Sequence, residues 1–109
     1  MEVIVGKSNR YLTKSVNKKI RDMARKVELI IVIGEKKKSN INKIYEMSLK
    51  ETGNAMIVET IEDLYINYIR RFKTIGILQD PTIPQNQLEI IVDMLKHTQV
   101  EGYIYEHFK

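Results

Sequence analysis

The chain has 109 residues, room for one compact domain with one core, so a single domain over 1–109 is expected. Hydrophobic residues make up 43% and charged residues 29%, an ordinary globular profile with a modest formal net charge of +4. The complete lack of cysteine excludes disulfides, thiolate metal sites and cysteine nucleophiles.

Val3-Ile4-Val5 ahead of Gly6 reads as a short buried strand, and Lys7 to Leu12 as a loop. Thr13 or Ser15 suits the cap of a first helix, whose apolar positions Val16, Ile20, Met23, Ala24 and Val27 keep the helical period. Glu28 to Ile33 is almost continuously apolar, the pattern of a strand covered on both faces. Gly34 lets the chain turn sharply, and a basic loop of Lys36, Lys37 and Lys38 follows. Ser39 or Asn40 then caps a second helix, lined by Ile41, Ile44, Tyr45 and Ser48 and ending near Thr52-Gly53.

Ala55 to Val58 reads as the third strand. Thr60 opens a third helix carrying Ile61, Leu64, Tyr65, Tyr68, Ile69 and Phe72, with Glu62 and Asp63 at its positive end. Lys73 to Leu78 is the fourth strand, and a loop from Gln79 to Ile83 leads into Pro84, which suits the first turn of a fourth helix. Leu88, Ile91, Val92 and Leu95 line that helix. The tail from Thr98 to Lys109 stays open: Tyr103-Ile104-Tyr105 fits an edge strand, a short helix or a partner contact.

Strand and helix patterns alternate four times, which predicts an α/β fold: a three-layer α/β/α arrangement around a four-stranded, mainly parallel sheet. If the third strand flanks the second on one side and the fourth on the other, the strand order reverses between strands two and four. A crevice then opens at their carboxyl ends, where ligands of such sheets bind. Loops 34–40 and 78–84 line it, and loop 6–13 leaves the same edge.

The stretch Gly34 to Asn40 suits an anion such as a phosphate, diphosphate or carboxylate. It offers mobile lysines, a side-chain cap and free backbone N–H groups at Ile41 and Asn42. The same residues also suit an ordinary solvated loop before a helix cap, and no Gly-rich nucleotide motif accompanies them. Thr82 offers a hydroxyl or a plain helix cap, while Asp80 before a proline reads as turn chemistry rather than a general base. No Ser/His/Asp set or carboxylate pair assembles, so no catalytic residue is assigned. His97 and His107 stand ten residues apart, which is no metal-ligand spacing, and no metal site is expected.

No apolar run approaches the ~18–20 residues of a membrane span, and the N-terminus lacks the core of a signal peptide. No membrane partner is expected, and cytoplasmic residence is. Nucleic acid is not an expected partner either, because no aromatic stacking surface accompanies the basic loop.

The segment from Ser15 to Leu95 resembles the C-terminal third of the LytB-type enzymes, also called penicillin tolerance proteins. These are the 4-hydroxy-3-methylbut-2-enyl diphosphate reductases of isoprenoid biosynthesis. Where the family carries a segment like GSKNSSNSNRL, this chain has Gly34-Glu35-Lys36-Lys37-Lys38-Ser39-Asn40-Ile41-Asn42-Lys43-Ile44. Where the family has VGVTAGASAP, this chain has Ile75-Gly76-Ile77-Leu78-Gln79-Asp80-Pro81-Thr82-Ile83-Pro84. The stretch Ile57 to Leu64 is similar as well.

The resemblance implies an allylic diphosphate gripped by a Ser-Ser-Asn set and by the serine of the second motif. Carried over, Ser39 matches the second serine, Asn40 the asparagine and Thr82 the last serine, while Lys38 replaces the first serine. Lys36 adds charge to the same loop. The family's [4Fe–4S] cluster is held by three cysteines, and matching C-Y-A-T to Arg10-Tyr11-Leu12-Thr13 puts Arg10 at the cysteine's position. The implied reading is a degenerate LytB-like domain that carries no cluster, is not an enzyme on its own and keeps part of a diphosphate or anion pocket. Its expected partners are a phosphate- or diphosphate-bearing small molecule, and LytB-like domains or a second copy of itself. The alternative is an interaction subunit or a fragment of a split reductase.

Overall fold

The structure, a computed structural model, describes residues 2–7, 14–80, 82–97 and 105–108, with side chains over 16–80 and 82–97. Five strands form one sheet: β1 (Glu2–Lys7), β2 (Leu29–Ile33), β3 (Ala55–Val58), β4 (Thr74–Gln79) and β5 (Tyr105–Phe108). Their order is β3-β2-β4-β1-β5, and every neighbouring pair runs parallel. The predicted four strands are therefore joined by a fifth. It comes from the open tail, where Tyr105 to Phe108 pair with Val3 to Gly6. Tyr103 and Ile104 lie outside the described residues.

Among the described residues, four helices lie between the strands: α1 (Lys14–Ala24), α2 (Ser39–Thr52), α3 (Ile66–Ile69) and α4 (Gln85–Lys96). The period of two along β2 sorts its side chains between two cores. Ile30 and Val32 pack with Val16, Ile20 and Met23 of α1 and Ile41 and Ile44 of α2. Leu29, Ile31 and Ile33 pack on the other face with Ile69 of α3 and Leu88, Ile91, Val92 and Leu95 of α4. All five β2 side chains are fully buried, and each contributes roughly 1.5–3 kcal/mol by leaving water.

Two glycines set how closely the α1–α2 layer approaches the sheet. A Cβ on Gly76 in β4 would sit 2.5 Å from Met23 Sδ and 2.7 Å from its Cγ. At the end of β2, a Cβ on Gly34 would sit 2.5 Å from Ile41 Cδ1. Gly34 therefore serves close packing of α2 rather than a left-handed turn. Among the described glycines only Gly53 has positive φ, 81°, where it ends α2 in the left-handed form and donates to Leu49 O.

The predicted third helix is broken. A 3-10 turn at Ile61–Asp63 and the four-residue α3 replace it, with Leu64 and Tyr65 between them at ψ 94° and 87°. The Asp63 carboxylate folds back to accept the N–H groups of Glu59 and Thr60 at 2.9 and 3.2 Å, closing a capping box with Thr60 at the start of the 3-10 turn. That turn ends before a continuous helix can propagate. Ser15 lies inside α1 and is not its cap, and Pro84 sits at the N-cap of α4 rather than in its first turn.

The chain steps from β2 to β3 on one side and from β4 past β1 to β5 on the other. The connections after β2 and β4 diverge, which opens the crevice between the carboxyl ends of these two neighbours.

Candidate functional site

The crevice floor is built by the loop after β4. The Asp80 N–H donates to Ile33 O at 2.8 Å, extending the β2–β4 ladder by one step past the strand end. This pins Asp80 under the loop after β2. Its carboxylate is buried, with the side chain 2% exposed. Oδ1 accepts the Thr82 N–H at 2.9 Å and the Thr82 hydroxyl at 2.9 Å. Oδ2 faces Lys38 Nζ at 3.3 Å. Burial pushes the Asp80 carboxyl up, but the two Thr82 bonds and the Lys38 ammonium outweigh it and hold the group below its ordinary 3.8.

Lys38 and Thr82 meet across the crevice, since Lys38 Nζ also donates to Thr82 Oγ1 at 3.0 Å. Glu35 Oε1 lies 3.9 Å from the same ammonium. Lys38 is the N-cap of α2, in extended conformation and with no side-chain cap bond, so neither Ser39 nor Asn40 caps the helix. Ser39, Asn40 and Ile41 occupy the first turn, where the helix supplies no acceptor for their N–H groups. Asn42, expected to leave its N–H free, donates it to Lys38 O at 3.2 Å. Its side chain donates to Lys36 O at 2.8 Å and Lys38 O at 3.0 Å, which shapes the loop from inside. Ser39 is exposed and Asn40 half-buried.

Lys36 takes a different direction. Its ammonium pairs with Asp63, and its N–H donates to Glu59 Oε1 at 3.1 Å, so it ties the loop to the end of β3. The Asp63 bond raises the Lys36 ammonium above its ordinary value, and the same bond lowers the Asp63 carboxyl. Lys36, expected beside an anion, is thus committed to the scaffold. Arg10 lies outside the described residues. Of the six expected residues, the structure brings Lys38 and Thr82 into contact, sets Ser39 and Asn40 beside them, and turns Lys36 away.

Sequence reasoning missed the residue at the centre. Asp80 reads locally as a turn acid, and its partner Lys38 is 42 positions away in the chain. The second motif carried the only available signal: Asp80 falls where the resembled family has glycine, just as Lys38 falls where it has serine. Two charges of opposite sign had replaced two neutral positions, one in each crevice loop.

These features define a doubly wound, parallel α/β domain with a polar crevice at the carboxyl edge of its sheet. The profile of the LytB protein family matches residues 10–96, and the chain belongs to that family. It is similar to the 4-hydroxy-3-methylbut-2-enyl diphosphate reductase of Shewanella halifaxensis, at 28% identity over 98 residues, covering 84% of this chain and 32% of that protein. The enzyme of the same name from Fusobacterium nucleatum is 35% identical over 71 residues, covering 65% of this chain and 9% of that protein.

Among solved structures, that of (E)-4-hydroxy-3-methyl-but-2-enyl diphosphate reductase, the terminal enzyme of the non-mevalonate pathway, superimposes with a TM-score of 0.66. It is 25% identical, and the match covers 73% of this chain and 28% of that one. The E-1-hydroxy-2-methyl-but-2-enyl-4-diphosphate reductase from Plasmodium falciparum shares the fold, with a TM-score of 0.73 at 19% identity over 88% of this chain and 31% of that one. The chain therefore spans about a third or less of these relatives.

The cluster implied by the resemblance can be tested against the donors present. Iron–sulfur clusters are held mainly by cysteine thiolates, and this chain has none. Among the described residues, no group of three His, Asp or Glu side chains is placed to hold a metal. The donor set does not fit a [4Fe–4S] cluster. No helix of the described residues is long and apolar enough to cross a membrane.

Proposed function

We propose that this chain is a LytB-like domain that binds the phosphate or diphosphate end of a small molecule in the β2–β4 crevice without reducing it. The observation that carries the reading is the meeting of two loops at the topological switch point. The first turn of α2 offers the N–H groups of Ser39, Asn40 and Ile41, and the Thr82 hydroxyl and Lys38 ammonium stand beside it, 3.0 Å apart. The Ser39 hydroxyl and the Asn40 amide add donors at the positions that match the family's diphosphate grip. The Ser39 and Asn40 side chains can each direct a hydrogen toward a phosphate oxygen. The Thr82 hydroxyl gives its hydrogen to Asp80 and accepts from Lys38, and Lys38 Nζ keeps one N–H beyond those given to Asp80 and Thr82.

Reduction is not part of this reading, because the chain brings no thiolate to hold an electron-transferring cluster. The positive charge available is also smaller than three consecutive lysines imply. Lys36 is neutralised by Asp63 and Lys38 by Asp80, which leaves Lys37 as the lysine of the loop without an ion pair among the described residues. Binding is therefore expected to rest on directed hydrogen bonds more than on bulk charge.

Isothermal titration with inorganic diphosphate, and with an allylic diphosphate, tests the proposal. Sub-millimolar binding that weakens about tenfold or more in Ser39→Ala/Asn40→Ala, from two lost hydrogen bonds to a charged group, is the expected result. Binding weaker than millimolar, or unchanged in the double variant, would refute it.

A further inference from the structure

We propose that Asp80 determines the specificity of this crevice as a built-in competitor: it holds the Lys38 ammonium, and a phosphate that recruits Lys38 must share it with the carboxylate and meet that carboxylate's charge. The inference rests on the anion-binding reading above and adds the device that limits it.

The two partners differ in freedom. Asp80 is fixed, because its N–H is tied to Ile33 O and its Oδ1 to both the N–H and the hydroxyl of Thr82. Its side chain is 2% exposed, so water cannot take over the charge in place. Lys38 is movable: its side chain is 35% exposed, and four methylenes link the ammonium to the start of α2. The crevice therefore has a stationary negative floor and a mobile positive arm.

An anion that takes the remaining N–H of Lys38 sits within roughly 6 Å of the Asp80 carboxylate, given a charge-assisted N–H···O length near 2.8 Å. At that separation, with the carboxylate buried, salt screens the repulsion poorly. Glu35, 3.9 Å from the same ammonium, adds to it. A multiply charged diphosphate bears the repulsion more than a singly charged group does, so the carboxylate selects against charge as well as competing for the lysine. The placement of both residues fits this role, since Lys38 and Asp80 stand at the serine and glycine positions of the two resembled motifs and compensate each other across the crevice.

The test is titration of inorganic diphosphate into the wild type, Asp80→Asn, Lys38→Met and the double variant at one pH and salt. The amide of Asp80→Asn keeps an oxygen for Thr82 while releasing Lys38, and Asp80→Ser serves if that variant fails to fold. Binding in Asp80→Asn is expected to be at least about tenfold tighter than in the wild type. The gain should be clearly smaller when Lys38 is also replaced by methionine, since only the direct repulsion is then relieved, a non-additivity that mere loosening of the loop would not produce. Equal affinities in the wild type and Asp80→Asn, both still weakened by Ser39→Ala/Asn40→Ala, overturn the role of Asp80 and leave the anion site standing. No binding in either protein overturns the site itself and this inference with it.

Discussion

Gly34 and Gly76 both stand where a side chain has no room, but their neighbours differ in how they can yield. Met23, against Gly76, is unbranched and can swing its thioether aside, whereas Val27 behind it cannot. Ile41, against Gly34, is β-branched, fully buried and held in the first turn of α2. Gly34→Ala must therefore push α2 away from the end of β2. We expect it to cost about 1–3 kcal/mol by overpacking, read as a lower denaturation midpoint in urea. Because Ile41 follows Ser39 and Asn40, the same change should also weaken diphosphate binding. An unchanged midpoint would mean that α2 does not pack as tightly as the structure has it.

At the scale of elements, the first four strands and three of the helices were legible, the central strand from its continuous apolar run and the helices from one apolar face kept at the helical period. The run read as a strand from Glu28 to Ile33 is observed at Leu29–Ile33, and Ala55–Val58 has the same bounds in sequence and structure. The third helix was not legible. Its apolar spacing from Ile61 to Phe72 is helical, yet the chain leaves the helical conformation at Leu64 and Tyr65 after a single 3-10 turn. The tail strand was hidden for another reason: its partner β1 lies about a hundred residues back, and four residues carry little pattern of their own.

Asp63 also gives this region a pH signature. The Lys36 bond, with help from the Glu59 and Thr60 N–H groups, holds its carboxyl below the ordinary 3.8. A carboxyl lowered on folding stabilises the protein fully above its unfolded value, and that contribution disappears as pH falls through the folded one. Asp63→Ala should thus cost about 1 kcal/mol at pH 7, chiefly from the lost backbone caps. The difference from wild type should shrink below about pH 4, as the wild type loses what the variant never had. Urea denaturation at pH 7 and pH 3 checks it, and a constant difference at both would contradict the pairing.

For the whole molecule, the place of the candidate site was legible before its contents. Alternating strands and helices in an open, doubly wound sheet give a switch point, and the motif positions select the same two loops. What local sequence cannot show is which charges meet there. Three lysines in a row look like a cationic loop, but folding commits one to Asp63 and another to Asp80, leaving a crevice close to neutral. Neutrality makes directed hydrogen bonds at the start of α2 the core of the account. The most direct measurement is amide chemical-shift mapping by NMR as inorganic diphosphate is added to the isotope-labelled protein. The N–H signals of Ser39, Asn40, Ile41 and Thr82 should move together and saturate along one binding curve. Shifts scattered over exposed lysines and arginines, with those four amides unmoved, would contradict it.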